Sequence, residues 1–132
     1  IDVSESEKEL KLPTQAFDAH VEINARLFKE TLKDAGIFGS TVTLKVNNGK
    51  FEIEAKGSQG MLKTVSKQGS LISVKGTMNV TSKYSLNFLS NGVKEAENDS
   101  PVLLEFKSDA PMRVTYLIGK TKMQYYLAHM IL

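Results

Sequence analysis

The chain contains no cysteine. That absence excludes disulfides, thiolate metal sites and cysteine catalysis in one step, and it fits a reducing compartment. Histidine is scarce too. The two present, His20 and His129, are far apart, and neither has a His or Cys neighbour at ligand spacing. Both are expected to be structural or superficial. No apolar run approaches the length of a membrane helix, and no secretory leader is recognisable. The triplets Asn79-Val80-Thr81 and Asn98-Asp99-Ser100 are therefore read as chance matches to the glycosylation pattern. An excess of one charge is also missing. Seventeen Lys and Arg against 15 Asp and Glu leave +2, so any affinity for nucleic acid must come from charge placement.

Catalytic motifs are absent as well. There is no phosphate-cradling or dinucleotide glycine loop, no nucleophile elbow and no H-E-x-x-H. Gly57 and Gly60 bracket Ser58-Gln59 as a loop. Glu52 and Glu54 alternate with Phe51, Ile53 and Ala55, so they are expected on the solvent face of a strand. An enzyme is not the expectation, and neither a cofactor nor a metal is implied.

What the sequence does contain is one domain's worth of chain, 132 residues with 41% hydrophobic and 24% charged content. That is enough to bury a core of its own. It opens on Ile1, which suggests a piece of something longer, and residues 1–11 read as the end of a linker before Pro13. Residues 19–23 alternate with period two, a strand signal. Asn24 is a good helix N-cap and Gly36 a good stop. Between them Leu27, Phe28, Thr31, Leu32 and Ala35 share one side. Arg26, Lys29, Glu30 and Lys33 share the other, giving a mainly basic outer face. Strands follow at 41–46 and 50–56 around Asn47-Asn48-Gly49, a turn whose residues tolerate positive φ. Two shorter strands are expected at 60–66 and 71–75, separated by Lys67-Gln68-Gly69.

From Met78 the plan repeats. A short strand at 78–80 precedes a helix starting near Ser82 and reaching about Ala96. Tyr84, Phe88 and Leu89 form its apolar side, with Lys83, Asn87, Ser90 and Lys94 opposite. Gly92 weakens that helix by about 1 kcal/mol relative to Ala. Strands at 101–107, 112–118 and 122–128 complete the copy. The fold class is α+β, a duplicated β-α-β-β-β unit with two helices packed on the same side of a curved, mostly antiparallel sheet or on each other. Two helix faces carrying Arg26, Lys29, Lys33, Lys83 and Lys94 would point the same way. Such a surface suits a polyanion held without base readout; the plain alternative is a solvated face. The strand of Gly60, Met61, Leu62, Lys63, Thr64, Val65 and Ser66 is either an edge open to another strand or one guarded by Lys63 and Lys67. The apolar ending at Tyr126, Leu127, Met130, Ile131 and Leu132 calls for a cover, from the same domain or from a partner.

These residues carry a resemblance. Leu12-Pro13 with Phe17, the helix from Leu27 to Ala35, Ala110-Pro111-Met112 and Tyr125-Tyr126-Leu127-Ala128 together resemble the C-terminal half of a DNA sliding clamp of the proliferating cell nuclear antigen type. The likeness runs over nearly the whole chain, and its flavour is archaeal. It implies a clamp domain over residues 12–132, with the N-terminal clamp domain absent. In the family, two such domains per chain and three chains close a ring around duplex DNA and act as a processivity factor in replication and repair. The cytoplasm is implied for an archaeal protein, the nucleus for a eukaryotic one. DNA polymerase, clamp loader, nuclease and ligase would dock through PIP-box peptides, and no membrane is involved. By this resemblance Arg26, Lys29, Lys33, Lys83 and Lys94 face DNA. The strand at 60–66 meets the neighbouring subunit. Pro111, Tyr126, Leu127 and Ala128 form one wall of the peptide pocket. His129 and Met130 stand where the family usually has a proline and then a basic residue. The competing readings are a checkpoint-clamp relative and a non-clamp α+β ligand-binding or hydrolase domain.

Overall fold

The computed structural model describes residues 17–66, 69, 71–76 and 78–131. The linker read at residues 1–11, Leu12-Pro13 and the turn residues Lys67-Gln68 lie outside the described residues. The elements in chain order are β1 (Ala19–Asn24), α1 (Ala25–Ala35), β2 (Thr41–Asn47), β3 (Lys50–Gly57), β4 (Gly60–Ser66), β5 (Ile72–Lys75), β6 (Val80–Ser85), α2 (Leu86–Val93), β7 (Pro101–Phe106), β8 (Met112–Ile118) and β9 (Thr121–Leu127).

The strands form two antiparallel sheets, ordered β5-β1-β7-β8-β9 and β4-β3-β2-β6. The α+β class and the two β-α-β-β-β units are those expected, with the sheet surface divided in two. The division has a logic. In each unit three consecutive strands form a meander, β2-β3-β4 and β7-β8-β9, and the first strand joins the other unit's sheet: β1 pairs with β7, and β6 pairs with β2, while β5, between the units, pairs with β1. Neither unit can bury its apolar face without the other. Phe51 of β3 and Phe106 of β7 meet across the interior with ring centroids 6.4 Å apart. Both are almost fully buried.

Local chemistry explains most boundaries. The Asn24 side chain accepts a hydrogen bond from the Leu27 amide at 3.0 Å, capping α1. Ala25, Phe28, Leu32 and Ala35 are its buried residues. The turn between β2 and β3 is built on Asn48 at φ 53° and Gly49 at φ 78°, the positive values that hairpin geometry demands.

The second helix departs from expectation. Residues 80–85 are strand, paired in register from Val46↔Val80 to Thr41↔Ser85. Val80, Ser82 and Tyr84 are buried while Thr81 is exposed and Lys83 half-buried. A period of two satisfied by pairing with β2 buries Val80 and Tyr84 together; a helix starting at Ser82 would leave the β2 edge unpaired. The cap is instead Ser85, whose hydroxyl accepts from the Phe88 amide at 3.3 Å. The buried side of α2 is Leu86, Leu89 and Val93. Phe88, expected inward, is 65% exposed.

Candidate functional site

The two helices lie against each other and present one surface, with unequal charge. On α1, Arg26, Glu30, Lys33 and Asp34 are all exposed. Among the described residues neither Arg26 nor Lys33 joins an ion pair. Lys29 is half-buried, and its ammonium donates to the Ala96 carbonyl and, at 3.1 Å, to Asn98 Oδ1. Within α2 there is no charged residue; Asn87 and Asn91 are exposed, and Lys94 stands exposed at its C-cap. A cation there is favoured by the helix dipole.

Lys83 is not part of this surface. It belongs to β6, opposite Thr43 of β2. Its side chain helps line a groove of about 250 Å³ on the four-stranded sheet with Lys45, Lys56, Glu54 and Asp109. A helix from Ser82 would have set it on one face with Lys94; pairing of β6 with β2 turns it to another face.

The C-terminal residues come together only in part. Met112↔Leu127 and Arg113↔Tyr126 are register pairs, so Pro111 and Ala128 lie just beyond a common end of β8 and β9. Strand alternation sends neighbours to opposite faces. Leu127 packs against the core with Met123 and Tyr125, whereas Tyr126 lies on the outer face beside Arg113. The chain then crosses to the other sheet, where the Met130 amide donates to the Lys83 carbonyl at 2.8 Å. The covering that the apolar ending required is thus partly supplied by its own domain. His129 Nδ1 is buried there without a hydrogen-bond partner among the described residues.

The strand at 60–66 is β4, the outermost of its sheet, bonded on one side to β3. Met61 and Val65 are 51% and 48% exposed. Lys63 lies 3.6 Å from Glu52 and 3.9 Å from Glu54, and Lys45 is 3.0 Å from Glu54. Glu52, expected in solvent, is only 8% exposed. Cross-strand lysines cover it.

A polar ladder went unread in the sequence. On the outer face of the five-stranded sheet, buried Glu105 accepts from His20 Nδ1 at 2.8 Å and from Arg113 Nε at 2.8 Å. The Arg113 guanidinium also stacks 5.1 Å from the Phe17 ring. Burial opposes the Arg113 charge, but Glu105 and then Tyr126 hold its pKa above the ordinary range. The signal was available. Glu105 is the one carboxylate inside an otherwise apolar strand, and the turn at 108–111 brings Arg113 back opposite it.

Two intertwined units, adjacent helices and a strand edge left open among the described residues define a clamp-type α+β domain. The chain belongs to the family described as proliferating cell nuclear antigen, C-terminal domain, which it matches over residues 11–131. It is 30% identical over 132 residues to the DNA polymerase sliding clamp of Methanococcus vannielii, covering 96% of this chain and 52% of that protein. Against the DNA polymerase sliding clamp of Methanothrix thermoacetophila it is 31% identical over 129 residues, covering 97% and 52%. DNA polymerase sliding clamp 1 of Thermococcus kodakarensis is 28% identical over 121 residues, with 89% and 47% covered. The chain spans about half the length of the curated relatives it matches.

Proposed function

We propose that residues 12–132, following a linker at 1–11, are the C-terminal domain of a DNA sliding clamp, a non-catalytic processivity factor that encircles duplex DNA. The observation that carries this reading is the helix surface. Arg26 and Lys33 are exposed without an acidic partner among the described residues, beside a second helix bearing no charge of its own. Mobile cations beside an uncharged helix attract phosphates and read no bases, which sliding requires. Lys94 joins them; Lys83 does not.

The free edge of β4 suits pairing with a neighbouring subunit in a ring of three, since an unpaired edge offers a full row of backbone donors and acceptors. Pro111, Tyr126 and Ala128 supply the C-domain side of a pocket for partner peptides of the PIP-box kind, through which polymerase, clamp loader, nuclease and ligase would be tethered. Leu127 supports that wall from the core side. The relatives are archaeal, and a replication protein of that origin works in the cytoplasm. No helix among the described residues is long and apolar enough to cross a membrane.

The test is duplex binding by this chain across a salt series. Arg26→Ser with Lys33→Ser should weaken binding and flatten the plot of log K against log salt by about 2, close to 0.9 per lost phosphate contact. Equal affinity and slope in the double variant would remove the helix surface from the DNA-facing role.

A further inference from the structure

The Lys29 side chain does something other than its two basic neighbours on α1. Helix N-termini leave their first amides without intrahelical partners. In α1 these are satisfied from the loop after α2: the Ala25 amide donates to the Ser100 carbonyl at 2.9 Å, and the Arg26 amide to the Asn98 carbonyl at 3.3 Å. The Asn24 side-chain amide donates to that same Asn98 carbonyl at 3.1 Å. One turn further along, the Lys29 ammonium reaches back to the Ala96 carbonyl and the Asn98 side chain. Ala96 itself is 2% exposed. Residues 96–100 are therefore held by five hydrogen bonds from Asn24 and the first helix, with Lys29 as the outermost donor.

We infer that Lys29 is a tie that fixes the end of the second helix against the first, and that it is not a phosphate contact. The duplex-facing charge of this domain is then Arg26, Lys33 and Lys94; that part of the assignment rests on the sliding-clamp reading above. Moving Lys29 to a phosphate would strip a half-buried carbonyl of its donor. The penalty for such an unpaired group is large compared with an exposed ionic contact screened by water and salt.

Lys29→Met and Lys33→Met on this chain separate the roles. Lys29→Met should lower Tm by about 4 °C, the size of one lost hydrogen bond in a domain near this length, and leave the salt slope unchanged. Lys33→Met should leave Tm almost unmoved and flatten the slope by about 0.9. A Lys29→Met variant with unchanged Tm and a flattened slope overturns the inference. A second measurement requires no variant. In a duplex titration followed through the lysine ammonium NMR signals of the unaltered chain, Lys33 should shift and Lys29 should not; a Lys29 shift matching that of Lys33 overturns the tie. If Tm falls in Lys29→Met while neither lysine responds to duplex, the tie stands and the DNA-facing reading fails.

Discussion

The two helices occupy equivalent places in the duplicated units and do different work. The first has 11 residues, and Arg26, Lys29, Glu30, Lys33 and Asp34 crowd its outer side. The second has eight residues and no charge. Its backbone is used instead. The Gly92 carbonyl accepts the Tyr116 hydroxyl at 3.0 Å, and Tyr125 donates to that hydroxyl at 3.1 Å. The two tyrosine rings sit edge to face, 6.1 Å apart. The first helix presents charge, while the second roofs the ends of β8 and β9. Duplication preserved the fold and left the surfaces free to diverge.

The junctions that lead into the helices sharpen this contrast most. Before α2 the chain passes through Tyr84, which is 0% exposed and donates to the Ala110 carbonyl at 2.8 Å. The equivalent junction before α1, Ile23-Asn24, has no phenol. Burial pushes the Tyr84 pKa from 10.0 to about 12, with the Ser82 hydroxyl working the other way and Asp109 adding to the rise. The folded protein therefore holds this proton at a pH where the unfolded chain has released it. The associated stability is complete below pH 10 and is lost as pH rises from 10 toward 12, by about 3 kcal/mol. Tyr125 contributes in the same direction, raised by burial and then by Tyr116. Urea unfolding at pH 9 and pH 11 should show a smaller alkaline loss in Tyr84→Phe than in the parent chain. An identical loss would relieve Tyr84 of this role.

Substitution within α2 tests whether its backbone is as closely engaged as its contacts suggest. Replacing glycine by alanine in a helix normally gains about 1 kcal/mol. At Gly92 a Cβ would lie 2.6 Å from Tyr125 Cε2, in a ring held by its hydroxyl, so Gly92→Ala should instead lose about 1–2 kcal/mol. Exposed Asn91, one residue earlier, should gain about 0.5 kcal/mol on changing to Ala. Denaturant midpoints decide it: a gain at both positions would mean that the tyrosine pair yields easily.

How much of this was legible follows from the same contrast. The first helix could be read because Asn24, Gly36 and a clean amphipathic period agree. The hairpin at Asn48-Gly49 could be read because its backbone requirement is local. The start of the second helix could not, because residues 82–85 satisfy a helical and a strand pattern alike, and only the β2 edge, some 40 positions earlier in sequence, decides. Gly92 looked like a weakness for the same reason: its purpose is a ring on β9. The candidate site divides along that line. Arg26, Lys33 and the β4 edge follow from local pattern. The burial of Lys29, the loss of Lys83 to a sheet and the inward turn of Leu127 depend on pairings between distant segments.

The smallest expected effect separates the two caps. Asn24 accepts from Leu27 at 3.0 Å and also donates to the Asn98 carbonyl at 3.1 Å. Ser85 makes one longer contact, 3.3 Å to the Phe88 amide. A cap alone contributes about 1 kcal/mol. Ser85→Ala should therefore cost about 0.5–1 kcal/mol and Asn24→Ala about 1.5–2 kcal/mol, the excess being its bond to the loop. Asn24→Asp isolates that excess, because the carboxylate still caps but no longer donates to Asn98. If Asn24→Asp unfolds at the denaturant midpoint of the parent chain, the Asn98 bond contributes nothing, and the first helix is held to the loop by its backbone amides and Lys29 alone. A midpoint between those of the parent and Asn24→Ala assigns the difference to the side-chain link, and the two junctions then differ in mechanism as well as in strength.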